Sequence, residues 1–176
     1  MRTKKILYIG VLLVLAGTAV GVNKLSTARV KTSNQEVYEV KKVDDGDTLE
    51  IFRYGRKEKV RFIGIDTPET VDPRKVVQCF GKEASAKTKQ LLTGKTIRIE
   101  FDPIVGERDK YDRLLAYIWL GDELVNLTLL NEGYAHEYTY RSQTYKHQSD
   151  FKQAEAGARQ GEVGLWSPQT CAGVTK

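Results

Sequence analysis

Two short segments in the first half of the chain carry side chains that can bind a divalent cation. The first, at 45–48, reads Asp-Gly-Asp-Thr and contains Asp47, and the second, at 61–69, contains Asp66 and Thr67. Calcium and magnesium take oxygen ligands, so two carboxylates and a backbone or hydroxyl oxygen of Thr67 are suitable donors, with waters in the remaining positions. The two segments therefore indicate one hard-cation site.

The same segments supply the other groups that phosphodiester cleavage needs. The guanidinium of Arg61 matches phosphate oxygens two at a time, which a lysine cannot do. The attacking water needs a base within hydrogen-bond reach or a metal that lowers its pKa, and Glu69 is the nearest carboxylate without another assignment. Together these residue types predict a site that cleaves phosphodiesters.

Each segment also has a purely structural explanation. Asp45-Gly46 between two strand-like runs is a strong hairpin signal, because glycine accepts a positive φ and aspartate tolerates it. Thr67-Pro68 can simply end a strand, since proline lacks an N–H donor and pushes the preceding residue to an extended conformation. Only the combination of the two segments favours chemistry.

The combination resembles the thermonuclease family, the nucleases of staphylococcal-nuclease type. The resemblance runs from about residue 36 to residue 166, and its blocks follow one another in the family's order and at near-family spacing. The blocks are Asp45 to Thr48, Arg61 with Asp66 to Thr70, Phe80 to Ser85, and Asp109 to Arg113 with Ala116-Tyr117. The resemblance implies an OB-type barrel whose loops present the site.

The resemblance also implies a role for each site residue. Asp47 and Asp66 would bind one calcium ion through their carboxylates, and Thr67 through its backbone carbonyl. Arg61 and Arg113 would bracket the phosphate, and Glu69 would act as general base; the nucleotide pocket would be lined by Lys110, Tyr111, Tyr138 and Tyr140. The implied activity is calcium-dependent hydrolysis of DNA and RNA by attack of water, which leaves 3′-phosphate ends. We expect a monomer.

Two positions depart from the family pattern. Asp112 stands before Arg113, where the family usually has glycine, so a carboxylate adjoins a phosphate-binding arginine. It either weakens phosphate binding or points outward. The stretch 102–108 is slightly longer and more apolar than that loop usually is.

Hydrophobic periodicity predicts an α+β fold, a five-stranded OB-fold β-barrel with three α-helices. Runs rich in Val, Ile, Phe and Tyr predict the strands, at 36–43, 48–52, 58–65, 96–102 and 113–120. Apolar residues at helical spacing, each run ended by a glycine, predict the helices, at 81–93, 124–132 and 147–160.

One feature of the third strand conflicts with a regular conformation. Arg61 and Asp66 are an odd number of residues apart, so a regular strand would point their side chains to opposite faces. Both can reach one site only if the chain is irregular between them. Gly64 lies between them and is typical of bulges and bends, so we predict a bulge or sharp coil there.

The N-terminus has a different composition and reads as an export segment. Basic residues precede an uncharged apolar run at 6–22, which as a helix would be about 26 Å long, just short of a hydrocarbon core of about 30 Å. We predict a signal peptide at 1–28, a disordered spacer at 29–35 and the nuclease-like domain at 36–176, in a secreted protein. The alternative is a retained anchor that keeps the domain outside the membrane.

Charge and aromatic residues bear on the nucleic-acid partner. The formal net charge is +5, and removing the three N-terminal cations Arg2, Lys4 and Lys5 leaves +2, which is a weak overall attraction for a polyanion. Stacking of bases on tyrosines is a better indication than the lysines of the first helix, and four tyrosines cluster late in the chain, at 134, 138, 140 and 145. Some of them can equally be packing residues.

The cysteines and histidines complete the inventory. Cys79 and Cys171 are the only cysteines, and an even count in an exported chain favours a disulfide over two free thiols. His136 and His147 lack neighbours at zinc-ligand spacing, so we expect them on the surface without a metal or catalytic role.

A non-catalytic alternative is an OB-fold module that binds single-stranded nucleic acid at the cell surface by stacking and charge alone. Such a binder has no need to gather the carboxylates Asp47, Asp66 and Glu69 beside a polyanion. The carboxylates therefore favour the enzyme.

Overall fold

The computed structural model describes residues 36–70 and 76–175. In chain order its strands are β1 (Val37–Asp45), β2 (Thr48–Arg53), β3 (Arg56–Phe62), β4 (Ile65–Asp66), β5 (Thr96–Glu100), β6 (Leu114–Leu120), β7 (Glu123–Leu124) and β8 (His136–Glu137). The α-helices are α1 (Gly81–Leu92), α2 (Val125–Asn131) and α3 (Gln148–Gln160), with single 3₁₀ turns at Tyr140–Ser142 and Gly164–Trp166.

Five strands close into a barrel. The strands β1, β2 and β3 form an antiparallel meander, β3 pairs in parallel with β6, β6 pairs with β5, and β5 returns to β1. Closure removes the exposed sheet edges that an open sheet of this size would carry. The predicted five-stranded barrel with three helices is confirmed.

The core follows from the alternation of apolar residues along the strands. In β2 and β3 the inward positions are fully buried, and side chains from β5, β6, α2 and α3 fill the remaining volume. The largest fully buried side chains include Tyr117, Phe62, Phe151, Leu49 and Ile51. Burial of such side chains, at about 1.5–3 kcal/mol each, is the main contribution that holds the barrel rigid beneath its loops.

The chain breaks sharply after β3. Gly64 has φ +76, and a Cβ there would lie 2.7 Å from ring atoms of both Phe151 and Tyr145. Only glycine combines this left-handed conformation with so close an approach. The predicted irregularity at Gly64 is confirmed, whereas the predicted single strand at 58–65 is wrong at its end, because β3 stops at Phe62 and β4 starts after the turn.

A buried amide holds this turn against the barrel. Asn126 is fully buried; its Nδ2 donates to the Ile63 carbonyl at 2.9 Å, and its Oδ1 accepts the Ile118 N–H at 2.9 Å. One side chain thus links the turn, β6 and the start of α2. Removing it would leave buried polar groups unpaired, which typically costs about 1–3 kcal/mol.

A disulfide joins Cys79, just before α1, to Cys171, beyond the last 3₁₀ turn, with a sequence separation of 92 residues. Among residues 36–70 and 76–175, no helix is long and apolar enough to cross a membrane. The predicted signal peptide at 1–28 and spacer at 29–35 lie outside the described residues.

Candidate active site

One open cleft of about 790 Å³ lies at the end of the barrel where β3 gives way to β4. It is lined by every residue to which the sequence assigned a metal, phosphate, base or nucleotide role: Asp47, Arg61, Asp66, Thr67, Glu69, Lys110, Tyr111, Arg113, Tyr138 and Tyr140. The residues come from the β1–β2 turn, the β3–β4 segment, the loop before β6 and the segment after β8.

The β1–β2 turn places Asp47 at the floor of the cleft. Asp47 is buried, and its Oδ2 accepts the backbone N–H of Thr67 at 2.9 Å and the Thr67 hydroxyl at 3.1 Å. A Cβ on Gly46 would lie 2.6 Å from Thr67 Oγ1, so glycine allows the two segments to touch. The segment that predicts the hairpin turn is therefore the same segment that places Asp47 in the candidate cation site.

Arg61 connects the two predicted metal carboxylates. Its Nη1 donates to the carbonyls of Phe62 and Ile65, both at 2.7 Å, so the guanidinium is fixed to the turn around Gly64. Its Nη2 lies 2.8 Å from Asp66 Oδ1 and 3.3 Å from Asp47 Oδ2. The break in the strand thus brings Arg61 and Asp66 together.

The donor set suits a hard cation that keeps several waters. Within the described ranges, no group of three or more His, Cys, Asp and Glu side chains is arranged to hold a metal ion. Two carboxylates, Asp47 and Asp66, face the same guanidinium, and Thr67 adds oxygen atoms beside them. Oxygen-only ligation completed by water is typical of calcium and magnesium and not of zinc.

Carboxyl groups here repel one another. Burial raises the pKa of Asp45 to about 6, with further contributions from the charges of Asp47 and Glu69 and opposition from hydrogen bonds donated by Thr70 and Gly46. Desolvation likewise raises the pKa of Asp66, Arg61 opposes it, and Asp47 raises it further. A bound cation would relieve this repulsion.

Hydrogen bonds between its backbone and Gln78 hold Glu69 at the rim of the cleft. Its N–H donates to Gln78 Oε1 at 2.7 Å, and its carbonyl accepts the Gln78 N–H at 2.9 Å. Its carboxylate Oε1 accepts the Thr70 N–H at 2.9 Å. Gln78 immediately precedes Cys79, so the disulfide fixes the same part of the chain that holds Glu69.

Asp109 orients Arg113. Asp109 Oδ2 lies 2.7 Å from both Nε and Nη2 of Arg113, while its Oδ1 accepts the N–H groups of Tyr111 and Arg113. Burial acts to raise the pKa of Asp109, but the hydrogen bonds from Arg113 and these backbone groups lower it overall. The carboxylate is therefore ionised and grips one edge of the guanidinium.

The two departures from the family pattern have clear positions. Asp112 adopts φ +64, and its side chain is 88% exposed, so its carboxylate points to solvent; its carbonyl accepts a hydrogen bond from Arg108 at 2.7 Å. The longer loop at 102–108 is tied down at Ile104, whose carbonyl accepts Gln143 Nε2 at 2.6 Å. That bond links the loop to the tyrosine segment.

The aromatic residues divide into two groups. Tyr111, Tyr138 and Tyr140 are exposed and line the cleft, with ring centroids of the last two 6.4 Å apart. Tyr145 is buried against Phe151, and Tyr134 is half-buried. Three tyrosines are thus placed for base stacking, and the other two serve packing.

The expectation that both histidines lie on the surface is wrong. His147 packs edge-on against Tyr117, with centroids 4.6 Å apart, and His136 packs against Trp166 at 4.7 Å. Both are half-buried, because each ring packs edge-on against an aromatic side chain from a distant part of the chain.

Sequence reasoning assigned no role to Asp109, Gln78 or Gln143. Asp109 and Arg113 are four residues apart, but their segment is not helical, so this spacing did not predict the ion pair that the structure shows. Gln78 and Gln143 gave no signal, because their contacts join segments that only the folded loops bring together.

Comparison with known proteins gives consistent matches. A family model described as staphylococcal nuclease homologue matches residues 59–168. A thermonuclease of Staphylococcus hyicus is 43% identical over 141 residues, which cover 80% of this chain and 82% of that protein. A thermonuclease of Staphylococcus intermedius is 45% identical over 131 residues, covering 74% and 76%. Endonuclease YncB of Bacillus subtilis (strain 168) is 40% identical over 124 residues, covering 70% of this chain and 58% of that protein.

Proposed function

This chain belongs to the staphylococcal nuclease family, and on that basis we propose that it is an exported, calcium-dependent endonuclease. It hydrolyses phosphodiester bonds of DNA and RNA by attack of water and leaves 3′-phosphate ends. The thermonuclease and endonuclease relatives support the reaction class, and the residues of the cleft support the mechanism.

The observation that carries the proposal is the contact of Arg61 with Asp66 and Asp47, at 2.8 and 3.3 Å. A guanidinium and two carboxylates at one point can hold a cation and an anionic phosphate side by side. With the charges of Asp47 and Asp66 balanced by a cation, Nη2 of Arg61 would be available to a phosphate oxygen, while the carbonyls of Phe62 and Ile65 would still fix the other nitrogen.

Asp47, Asp66 and Thr67 would hold the calcium ion. The bound ion would supply positive charge to the phosphate oxygens and to the attacking water. The buried hydrogen bonds from Thr67 to Asp47 fix that carboxylate before any ligand arrives, so little reorganisation accompanies binding.

Glu69 accepts the proton of the attacking water. The carboxylate lines the cleft, and its backbone is fixed at both N–H and C=O by Gln78. Arg113, with one edge gripped by Asp109, presents its remaining donors to the phosphate as negative charge grows there. Donors held in place before the reaction are worth the most in the transition state.

The tyrosines bind bases without reading their sequence. Tyr111, Tyr138 and Tyr140 expose ring faces to the cleft, and any base can stack on them. The Lys110 ammonium lies 4.8 Å from the Tyr111 centroid and adds a cation beside this platform. This arrangement favours both DNA and RNA as substrates.

The experiment is cleavage of denatured DNA and of RNA by the purified protein, with calcium or with chelator, followed by analysis of the product ends. We expect cleavage of both polymers with calcium, 3′-phosphate ends and loss of activity with chelator. Stable binding of single strands without cleavage under every condition would instead identify the non-catalytic OB module.

A further inference from the structure

The outer face of β3 carries a row of cations that begins in the cleft. Lys57, Lys59 and Arg61 occupy alternate positions, so their side chains leave the sheet on the same face, about 6.6 Å apart at each step. Lys59 lines the cleft together with Arg61. The row therefore continues outward from the residue placed on the scissile phosphate.

Lys59 also lies beside the second phosphate arginine. The parallel ladder of β3 and β6 begins with Val60 paired with Leu114, and Lys59 and Arg113 directly precede these two residues. Both side chains line the cleft. Lys59 is thus placed next to both arginines.

Carboxylates beneath the row support the lysines without covering them. Lys59 Nζ lies 2.9 Å from Asp44 Oδ2, and Lys57 Nζ lies 3.1 Å from Glu50 Oε1. The lysine side chains are 58% and 72% exposed, whereas those of Asp44 and Glu50 are 11% and 16% exposed. An approaching polyanion therefore meets the ammonium groups first, because the lysine side chains extend past the carboxylates into solvent.

We propose that Lys59 and Lys57 form an accessory phosphate track, which binds the consecutive phosphates that follow the scissile one along a single-stranded polynucleotide. The inference rests on the proposed function and deepens it. A straight row of cations that leads away from a reactive site is suited to an extended backbone, and a positively charged groove of this kind is how single strands are bound without sequence preference.

The test compares a short and a long substrate on the full chain. The double variant Lys57→Gln/Lys59→Gln is assayed with calcium on a dinucleotide and on a single strand of about ten nucleotides. The matched control is Lys89→Gln/Lys95→Gln, which removes the same charge from two exposed lysines that do not line the cleft. A Lys57→Arg/Lys59→Arg variant retains the charge on the same face.

We expect kcat/KM on the long strand to fall about tenfold in the glutamine variant, at roughly threefold for each lost contact, with a clearly smaller loss on the dinucleotide. The slope of log kcat/KM against log salt on the long strand should weaken by about 1.4, since each single-strand contact contributes about 0.7. The arginine variant and the control should behave as wild type.

The proposed phosphate track would be wrong if kcat/KM fell equally on both substrates or on neither. It would also be wrong if the control variant showed the same loss. Each of these results leaves the nuclease itself intact, because wild-type cleavage is the reference. Failure of wild type to cleave either substrate with calcium would instead overturn the proposed function on which the track depends.

Discussion

The Arg61 side chain makes two sets of contacts from one position. Its guanidinium contacts two backbone carbonyls of the Gly64 turn and the carboxylates of Asp66 and Asp47. The first pair of contacts orients it, and the second pair places it where substrate charge would lie. A lysine has three donors on one nitrogen and cannot make both sets of contacts in one geometry.

Glu69→Gln tests the base assignment. The amide keeps the size of the side chain but cannot take the proton, so kcat should fall by roughly 100-fold or more while substrate affinity changes little. Single-turnover rates and substrate binding measured on the same variant separate the two effects. If affinity and rate decline by the same factor, Glu69 is a binding group and not the base.

His147 predicts a pH dependence of stability. Burial lowers the pKa of His147, Lys146 adds to this, and its Nε2 has no hydrogen-bond partner among the described residues. The unfolded chain therefore binds a proton near pH 6.5 more readily than the folded one. The stabilising contribution of the neutral His147 ring is complete above that pH and is lost as the pH falls below it.

His147→Phe keeps a ring against Tyr117 and does not titrate. Urea unfolding of variant and wild type without metal should show the free-energy difference shifting in favour of the variant between pH 7.5 and pH 5. A difference that is the same at both pH values would show that His147 titrates alike in the folded and unfolded chain.

Among the connections between strands, the turn between β3 and β4 is the one that holds Arg61 in the cleft. Gly64→Ala combines a strained left-handed residue, about 1–2 kcal/mol, with overpacking against Phe151 and Tyr145, about 1–3 kcal/mol. Gly121 has φ +61 but nothing within 4 Å of its Cβ position, so Gly121→Ala measures the strain alone. We expect the Gly64 variant to lose clearly more unfolding free energy in denaturant titrations, and kcat as well, because Arg61 is anchored to this turn. Equal losses would show that the packing is easily relaxed.

The disulfide connects α1 to the end of the chain. Cys79→Ser/Cys171→Ser removes a link that closes a separation of 92 residues, which in the chain-entropy model contributes about 4.6 kcal/mol. The variant should unfold at lower denaturant concentration and lose kcat more than affinity, because Gln78, next to Cys79, holds the backbone of Glu69. Wild type treated with reductant is the control and should match it. Stability that is unchanged by both treatments would contradict a constraining role.

At the scale of the whole molecule, the sequence predicts the barrel better than the loops. Polar and apolar residues alternate along β2 and β5, because one face of each strand is buried, and a glycine follows each predicted helix. These patterns identify the strands and the helices. The break at Gly64 was predictable only from the requirement that Arg61 and Asp66 meet. The supports supplied by Gln78 and Gln143 were not predictable, because they depend on how distant loops approach one another.

The same distinction applies to the site. The roles of the carboxylates and guanidiniums are predictions from their chemistry, and the structure places these residues around one cleft. The histidines gave no chemical pattern, and how far they are buried is decided by aromatic partners distant in the sequence, Tyr117 for His147 and Trp166 for His136. The sequence likewise does not show locally that Tyr140 is exposed in the cleft whereas Tyr145 is buried.

Calcium binding to the full chain, measured by calorimetry with and without a nucleoside 3′,5′-bisphosphate, tests whether Asp47 and Asp66 hold a cation beside the phosphate. Wild type should bind one ion per chain, and the nucleotide should tighten that binding, because the ion and Arg61 hold the phosphate together. Asp66→Asn should abolish the isotherm, while Asp122→Asn, an exposed aspartate outside the cleft, should leave it unchanged. Calcium binding by Asp66→Asn that equals that of wild type would show that the ion is not held by Asp66 in this cleft.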